Sequence, residues 1–286
     1  MSWHRDYFQC VYLYLFLFTC SANGQERIIW QLNHAPPSTI VHGQYKQQGF
    51  IDLILEQIIR NMPEYQHSIE VSSLAGSTFE IRSQKTVCLP ALFSSPEREK
   101  FMLFSQASIV HPSNRLVFLN KNSKGIAGQQ LDLAHLLARK DLYLGLDKSR
   151  SYGAVADAAL ADVEPISHVY RRASESPNGL IEMVALGRLD YTISYPFQVQ
   201  YYLQSNQLVG KSPLTMAQIY GQAAYSMGQV ACPKNEWGQQ VIKRVNEVLS
   251  RLKPTQEYKA AMTRWWQESA QDPNFVTFYQ QQFLNQ

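Results

Sequence analysis

The sequence predicts an α/β protein in which sheets are interleaved with helices. Two observations carry this. Apolar runs of strand length alternate with segments whose apolar residues recur every three or four positions. Turn-forming Pro and Gly residues separate them. A third observation concerns export. Met1–Gln9 is polar and contains Arg5, Cys10–Cys20 (CVYLYLFLFTC) is an unbroken apolar run, and Ala22-Asn23-Gly24 has the small-x-small pattern of a cleavage site. Residues 1–24 therefore read as a secretory signal peptide. The alternative is a membrane anchor, but the run is well short of the roughly 20 residues that span a bilayer.

Residues 27–32 (RIIWQL) read as a first strand, and the prolines of the HAPPS turn stop it. Gly49–Met62 (GFIDLILEQIIRNM) is a helix: Phe50, Ile51, Ile54, Ile58 and Met62 share one face, and Pro63 closes it. Residues 68–74 (SIEVSSL) and 86–93 (TVCLPALF) are the next strands. A helix starts at Ser95-Pro96, and 107–119 (ASIVHPSNRLVFL) is extended. Residues 121–128 (KNSKGIAG) form a polar break.

Beyond the break, 129–140 is helical, 142–146 is a strand and 147–153 (DKSRSYG) is a polar loop. A helix at 154–161 and a strand at 166–170 follow, then a helix over Gly179–Leu186 with Gly187 at the position after its end, and a strand over 190–195. Residues 223–233 are extended. Two helices come last, Glu236–Leu252 and Thr255–Trp266, separated by Pro254; Gln280–Gln286 reads as a loose tail. Alternation of this kind argues for largely parallel sheets.

The 286 residues carry a net charge of only +3 with no basic stripe, so nucleic acid is not an expected partner. There is no nucleophile elbow, zincin motif, P-loop or dinucleotide fingerprint. The His residues do not cluster at ligand spacing, and no metal or cofactor is implied. Cys10 and Cys20 leave with the signal peptide. Cys88 and Cys232 remain, and in an exported chain they read either as one disulfide or as two buried thiols.

One residue stands out. Ser95 and Pro96 are N-cap and first-turn residues, and Glu97 suits the positive end of a helix, but Arg98 does not. On the residues alone it reads as a surface cation paired with Glu97 or Glu99.

Four motifs lie in order along the chain: Gly49-Phe50-Ile51-Asp52-Leu53, then Ser95-Pro96-Glu97-Arg98 followed by Phe104-Ser105, then Gly187-Arg188-Leu189-Asp190, and the closing Trp237–Trp266 helix pair. Together they resemble bacterial extracellular solute-binding protein family 3, the periplasmic amino-acid-binding type. The resemblance implies a type II periplasmic-binding-protein-like α/β fold, with two lobes joined by two crossover strands. Mapped here, lobe one is 25–112 plus 225–286, and lobe two is 113–224.

It further implies that Arg98 takes a ligand carboxylate through its planar fork of donors. From lobe two, Ser149, Arg150 and Ser151 would close on the same group, unless they form an ordinary helix-start loop. His34 would present a ring, and Phe93 and Tyr195 would shape the rest. Two departures matter. Tyr195 stands near the position where relatives carry an Asp for the ligand ammonium, and Ala91 and Phe93 replace small polar groups. The expected ligand is therefore an anionic, carboxylate-bearing solute with an apolar body rather than a standard amino acid. A Cys88–Cys232 disulfide within lobe one is implied as well. The implied role is a monomeric periplasmic or secreted solute-binding protein, not an enzyme, serving the membrane permease of an ABC transporter. The alternatives are a sensing module for a signalling partner, or a periplasmic dehydratase or lyase on the same fold.

Overall fold

The computed structural model describes residues 25–120, 128–148, 150–161, 168–172, 178–267 and 269–286. The expected signal peptide and most of the break at 121–128 lie outside them. One sheet contains β1 (Arg27–Leu32), β2 (Gln66–Val71), β3 (Val87–Leu92), β4 (Met102–Pro112) and β11 (Tyr225–Pro233), in the order β2-β1-β3-β11-β4. The second contains β5 (Arg115–Leu119), β6 (Gln130–Leu131), β7 (Leu144–Asp147), β8 (Val169–Arg172), β9 (Tyr191–Ser194) and β10 (Leu214–Ile219), in the order β6-β10-β5-β9-β7-β8.

Both sheets are mixed rather than largely parallel. β1 is parallel to β2 and β3, but β11 is antiparallel to β3 and β4. In the second sheet β5 is antiparallel to β9 and β10. Helical crossovers produce the parallel pairs. The antiparallel strands are those that lead from one sheet to the other. The chain leaves the first sheet at Pro112 and enters the second at Arg115; it returns between Ile219 and Tyr225. The two crossings are tied together, since Ser113 N–H donates to Ala224 O at 2.9 Å and the Ser113 and Ser226 hydroxyls lie 2.7 Å apart.

Lobe one is built on α1 (Phe50–Arg60), α8 (Glu236–Leu252) and α9 (Gln256–Thr263). α1 buries Phe50, Ile54, Leu55 and Ile58. Its start explains the Gly-Phe-x-Asp-Leu pattern. A Cβ on Gly49 would lie 2.4 Å from Ser38 O, so only glycine fits, and the Asp52 carboxylate accepts the N–H groups of Ile40 and Gly49 at 2.8 and 3.0 Å. α8 is N-capped by Asn235 and buries Val241, Ile242, Val245, Val248 and Leu249. The Cys88–Cys232 disulfide joins β3 to β11, with Cα atoms 4.4 Å apart, as the resemblance implies.

In lobe two, strand alternation divides the core. Leu116 and Phe118 of β5 face Leu133, Leu137 and Tyr152, whereas Val117 and Leu119 face Leu180, Val184, Leu189 and Val199. α6 (Gly179–Ala185) stops where Gly187 takes a φ of 70°, letting the N–H groups of Gly187 and Arg188 reach Val184 O and Met183 O.

Several expectations need correction. The helix expected at 129–140 is the short β6 plus α4 (Leu133–Leu137), which starts at the Asp132 cap. The extended 107–119 segment is two strands in different sheets. Elements not legible in the sequence include α2 (Leu74–Arg82), α7 (Pro196–Ser205), β10 and the helix at Pro273–Phe278. α3 (Pro96–Glu99) is a single turn, so it has little dipole for Arg98 to oppose. α5 (Ala154–Ala161) lies where a helix is expected. The tail is not loose. After α10 (Pro273–Phe278) comes a π-helical turn, Tyr279–Phe283; Phe283 is fully buried and Tyr279 donates to Lys253 O at 2.6 Å.

Candidate functional site

The lobes meet along a seam of rings. At its centre is His111, near the end of β4 and 5% exposed. Its Nδ1 lies 3.0 Å from Pro112 O, and since a carbonyl only accepts, Nδ1 carries the proton. Around it stand Tyr195 at 5.0 Å, Phe197 at 5.3 Å, Phe93 at 5.9 Å and Phe50 at 6.2 Å between ring centroids. Tyr195 and Phe197 are stacked at 4.9 Å. Burial pushes His111 down to about 4, so its imidazole is neutral at ordinary pH.

A guanidinium lies at each end of this chain of rings. Arg98 is half-buried, and its Nη1 donates to Phe93 O at 2.6 Å. Among the described residues it forms no salt bridge: Glu97 pairs instead with Lys100 and Arg82. Burial lowers the Arg98 pKa, which leaves it charged. Arg150 belongs to lobe two. Its Cζ lies 5.2 Å from the Tyr195 ring centroid, and its Nη2 donates to Asn114 Oδ1 at 3.2 Å and Gln198 Oε1 at 3.1 Å. Asp147 binds both Arg150 and Arg172, at 3.5 and 3.2 Å. Two guanidinium groups thus share one carboxylate.

No protein-family model matches this sequence, and no curated protein does. Solved structures do match. A histidine kinase sensor domain similar to periplasmic binding proteins aligns with a TM-score of 0.63 at 14% identity, over 85% of this chain and 96% of that one. The substrate-binding protein of an amino-acid ABC transporter aligns with a TM-score of 0.59 at 16% identity, over 84% and 99%. An ancestral amino-acid-binding protein, a precursor of cyclohexadienyl dehydratase, aligns with a TM-score of 0.61 at 15% identity, over 84% and 94%. The chain has the two-lobe type II periplasmic-binding fold.

The expected residues divide between the seam and its surroundings. Phe93 and Tyr195 both touch His111. Arg98 is tied to Phe93 and Arg150 to Tyr195. His34 stands apart: its ring stacks on His42 at 3.8 Å, its Nδ1 accepts the Val41 N–H, and partial burial with His42 beside it lowers its pKa. Ser151 donates to Asp157, whose other oxygen accepts the Tyr152 N–H at 2.7 Å, so it organises the start of α5. Ser149 lies outside the described residues. A shallow indentation at the crossings, against Ser113, Asn114, Gln218 and Gln222, encloses about 20 Å³, room for little more than a water molecule.

Reading the sequence missed His111, Phe197, Gln198 and Asn114. The available signals were slight: a His-Pro pair just before a crossing, and a Tyr-Pro-Phe helix start. Neither indicates which lobe a ring will face.

Proposed function

We propose that this chain is an exported ligand-binding module that takes a small anionic solute with an apolar body at the interlobe seam. The lobes would be residues 25–112 with 225–286, and 113–224. The observation that carries the reading is Arg98, half-buried and charged, bonded to a backbone carbonyl rather than to an acid, and set beside a wall of rings. A carboxylate or similar anion would meet the fork of donors there, and Arg150 would offer a second guanidinium from lobe two. The wall of Phe93, His111 and Tyr195 supplies apolar surface and no acid for an ammonium group. Among the described residues no helix is long and apolar enough to cross a membrane. A periplasmic location and a membrane permease as partner follow by analogy of fold.

A second reading, a sensing module for a signalling partner, is favoured by the way the lobes dock through their own side chains. Such a domain is suited to reporting a change of state. The lyase alternative calls for a carboxylate opposite Arg98, and the partner seen there is the Phe93 carbonyl.

The test is a thermal-shift and calorimetric screen of aliphatic and aromatic carboxylates, benzoate and indole-3-acetate among them, beside free amino acids. An aromatic or aliphatic carboxylate raises Tm in the native protein and loses that effect in Arg98→Ala. Micromolar binding of free amino acids, or a carboxylate shift untouched by R98A, overturns the reading.

A further inference from the structure

Helix α7 is buried on two sides, by two different lobes. Val199, Tyr202 and Leu203 belong to the lobe-two core. Phe197 is 1% exposed and lies in the lobe-one core, edge-on to Phe50 and against His111. Tyr201, one turn further along on the same side, meets Tyr45 at 6.3 Å and Trp265 at 5.3 Å. The lobe-one surface that receives them is built in advance. Tyr45 and Trp265 pack edge-on at 5.2 Å, Trp265 Nε1 donates to Gln48 O at 2.8 Å, and Arg264 donates to Gln48 Oε1 at 2.6 Å. A lobe-two helix therefore inserts two aromatic side chains into a prepared lobe-one surface.

The same helix is wired to the charged cluster. Gln198 Oε1 accepts from both the Ser194 hydroxyl and Arg150 Nη2, at 2.9 and 3.1 Å. An anion drawn to Arg150 competes with that bond, and so acts directly on the residue beside Phe197.

We infer that α7 is a built-in latch: its Phe197–Tyr201 face holds the two lobes docked without any solute, and Gln198 links the latch to Arg150. The resting state of the module is closed by its own side chains. This goes beyond the anion-binding reading and does not depend on it, because the decisive measurement contains no ligand.

The experiment is small-angle X-ray scattering on protein dialysed free of small molecules. The native chain is compared with Phe197→Ala/Tyr201→Ala and with Val199→Ala, which cuts the opposite face of the same helix. The native curve matches docked lobes, the double variant shows a larger radius of gyration, and V199A scatters like the native protein. A native curve already expanded beyond docked lobes overturns the inference, as does a folded double variant with unchanged dimensions. Should the double variant fail to fold, as judged by circular dichroism, the native curve alone still decides, and Phe197→Leu replaces the double variant.

Discussion

Phe197 of lobe two stands edge-on to Phe50 of lobe one, with ring centroids 5.2 Å apart and planes at 76°. Both rings are almost wholly buried, at 1% and 0% exposure. Edge-to-face rings at this separation gain from their quadrupoles as well as from burial. Phe197→Ala is expected to lower stability by about 3–5 kcal/mol, the cost of truncating a core phenylalanine. Because the lost contact joins two lobes, urea unfolding of the variant should show a broader or more clearly split transition than that of the native protein. A loss under about 1 kcal/mol with a single sharp transition would show that the seam contributes nothing.

His111 makes stability depend on acid. A free imidazole titrates near 6.5, whereas in the fold burial holds it down to about 4. Between those values the unfolded chain binds a proton that the folded chain refuses. Stability therefore falls as pH drops through this window, by roughly 3 kcal/mol at its lower end. Of the rings around His111 only Tyr195 can titrate, and burial raises its pKa, so it stays neutral throughout. Denaturant melts at pH 7 and pH 4.5 should show the drop, and His111→Asn, which keeps the donor to Pro112 O, should flatten it. Equal slopes in the two proteins would count against the assignment.

Lys253 is 1% exposed and pairs with no Asp or Glu side chain among the described residues. Its ammonium rests on Gln106 Oε1 at 3.2 Å, Gln286 O at 3.5 Å and the Phe283 ring at 4.6 Å. Burial lowers its pKa to about 8. At pH 7 the folded state carries a desolvated charge, so Lys253→Met should be more stable by about 1–3 kcal/mol. The gain should shrink above pH 8, where the native lysine loses its proton in the fold before the unfolded chain does. A destabilised methionine variant would mean that the Gln106 and Phe283 contacts outweigh the buried charge.

The Cys88–Cys232 bond spans a sequence separation of 144. In the chain-entropy account a loop of that length corresponds to about 5 kcal/mol. The Cys88→Ala/Cys232→Ala variant should lose most of that in guanidinium unfolding, since both sulfurs sit in the lobe-one core. Unchanged stability on reduction, with two titratable thiols in the native protein, would contradict the bond.

The elements read most accurately are those with one buried face. β1 over Arg27–Leu32 and α8 over Glu236–Leu252 have the expected limits. α8 has a single apolar stripe beginning at an Asn cap, so periodicity and capping agree. α7 was missed for the opposite reason. Phe197 and Tyr201 point to one lobe while Val199, Tyr202 and Leu203 point to the other, and a helix apolar on two sides has no stripe to detect. The tail misled for a related reason: Gln280–Gln282 look solvent-bound, but Tyr279 and Phe283 flank them and fill the core. At the seam, Phe93 and Tyr195 could be named as ring-bearing positions. That His111 gathers them could not, because it lies 18 residues from Phe93 in sequence and a whole lobe away from Tyr195.

By itself the sequence determined the limits of β1 and α8, the start of α1 after Gly49, and the Ser95-Pro96 helix start that carries Arg98. These depend on local sterics and on patterns within one turn or one strand. Tertiary structure alone decided that Cys88 and Cys232 are bonded, that both sheets are mixed, and that Phe197 leaves its own lobe for the core of the other. Each of those depends on contacts between residues far apart in the chain, whose free energy exists only once both partners have been brought out of water together.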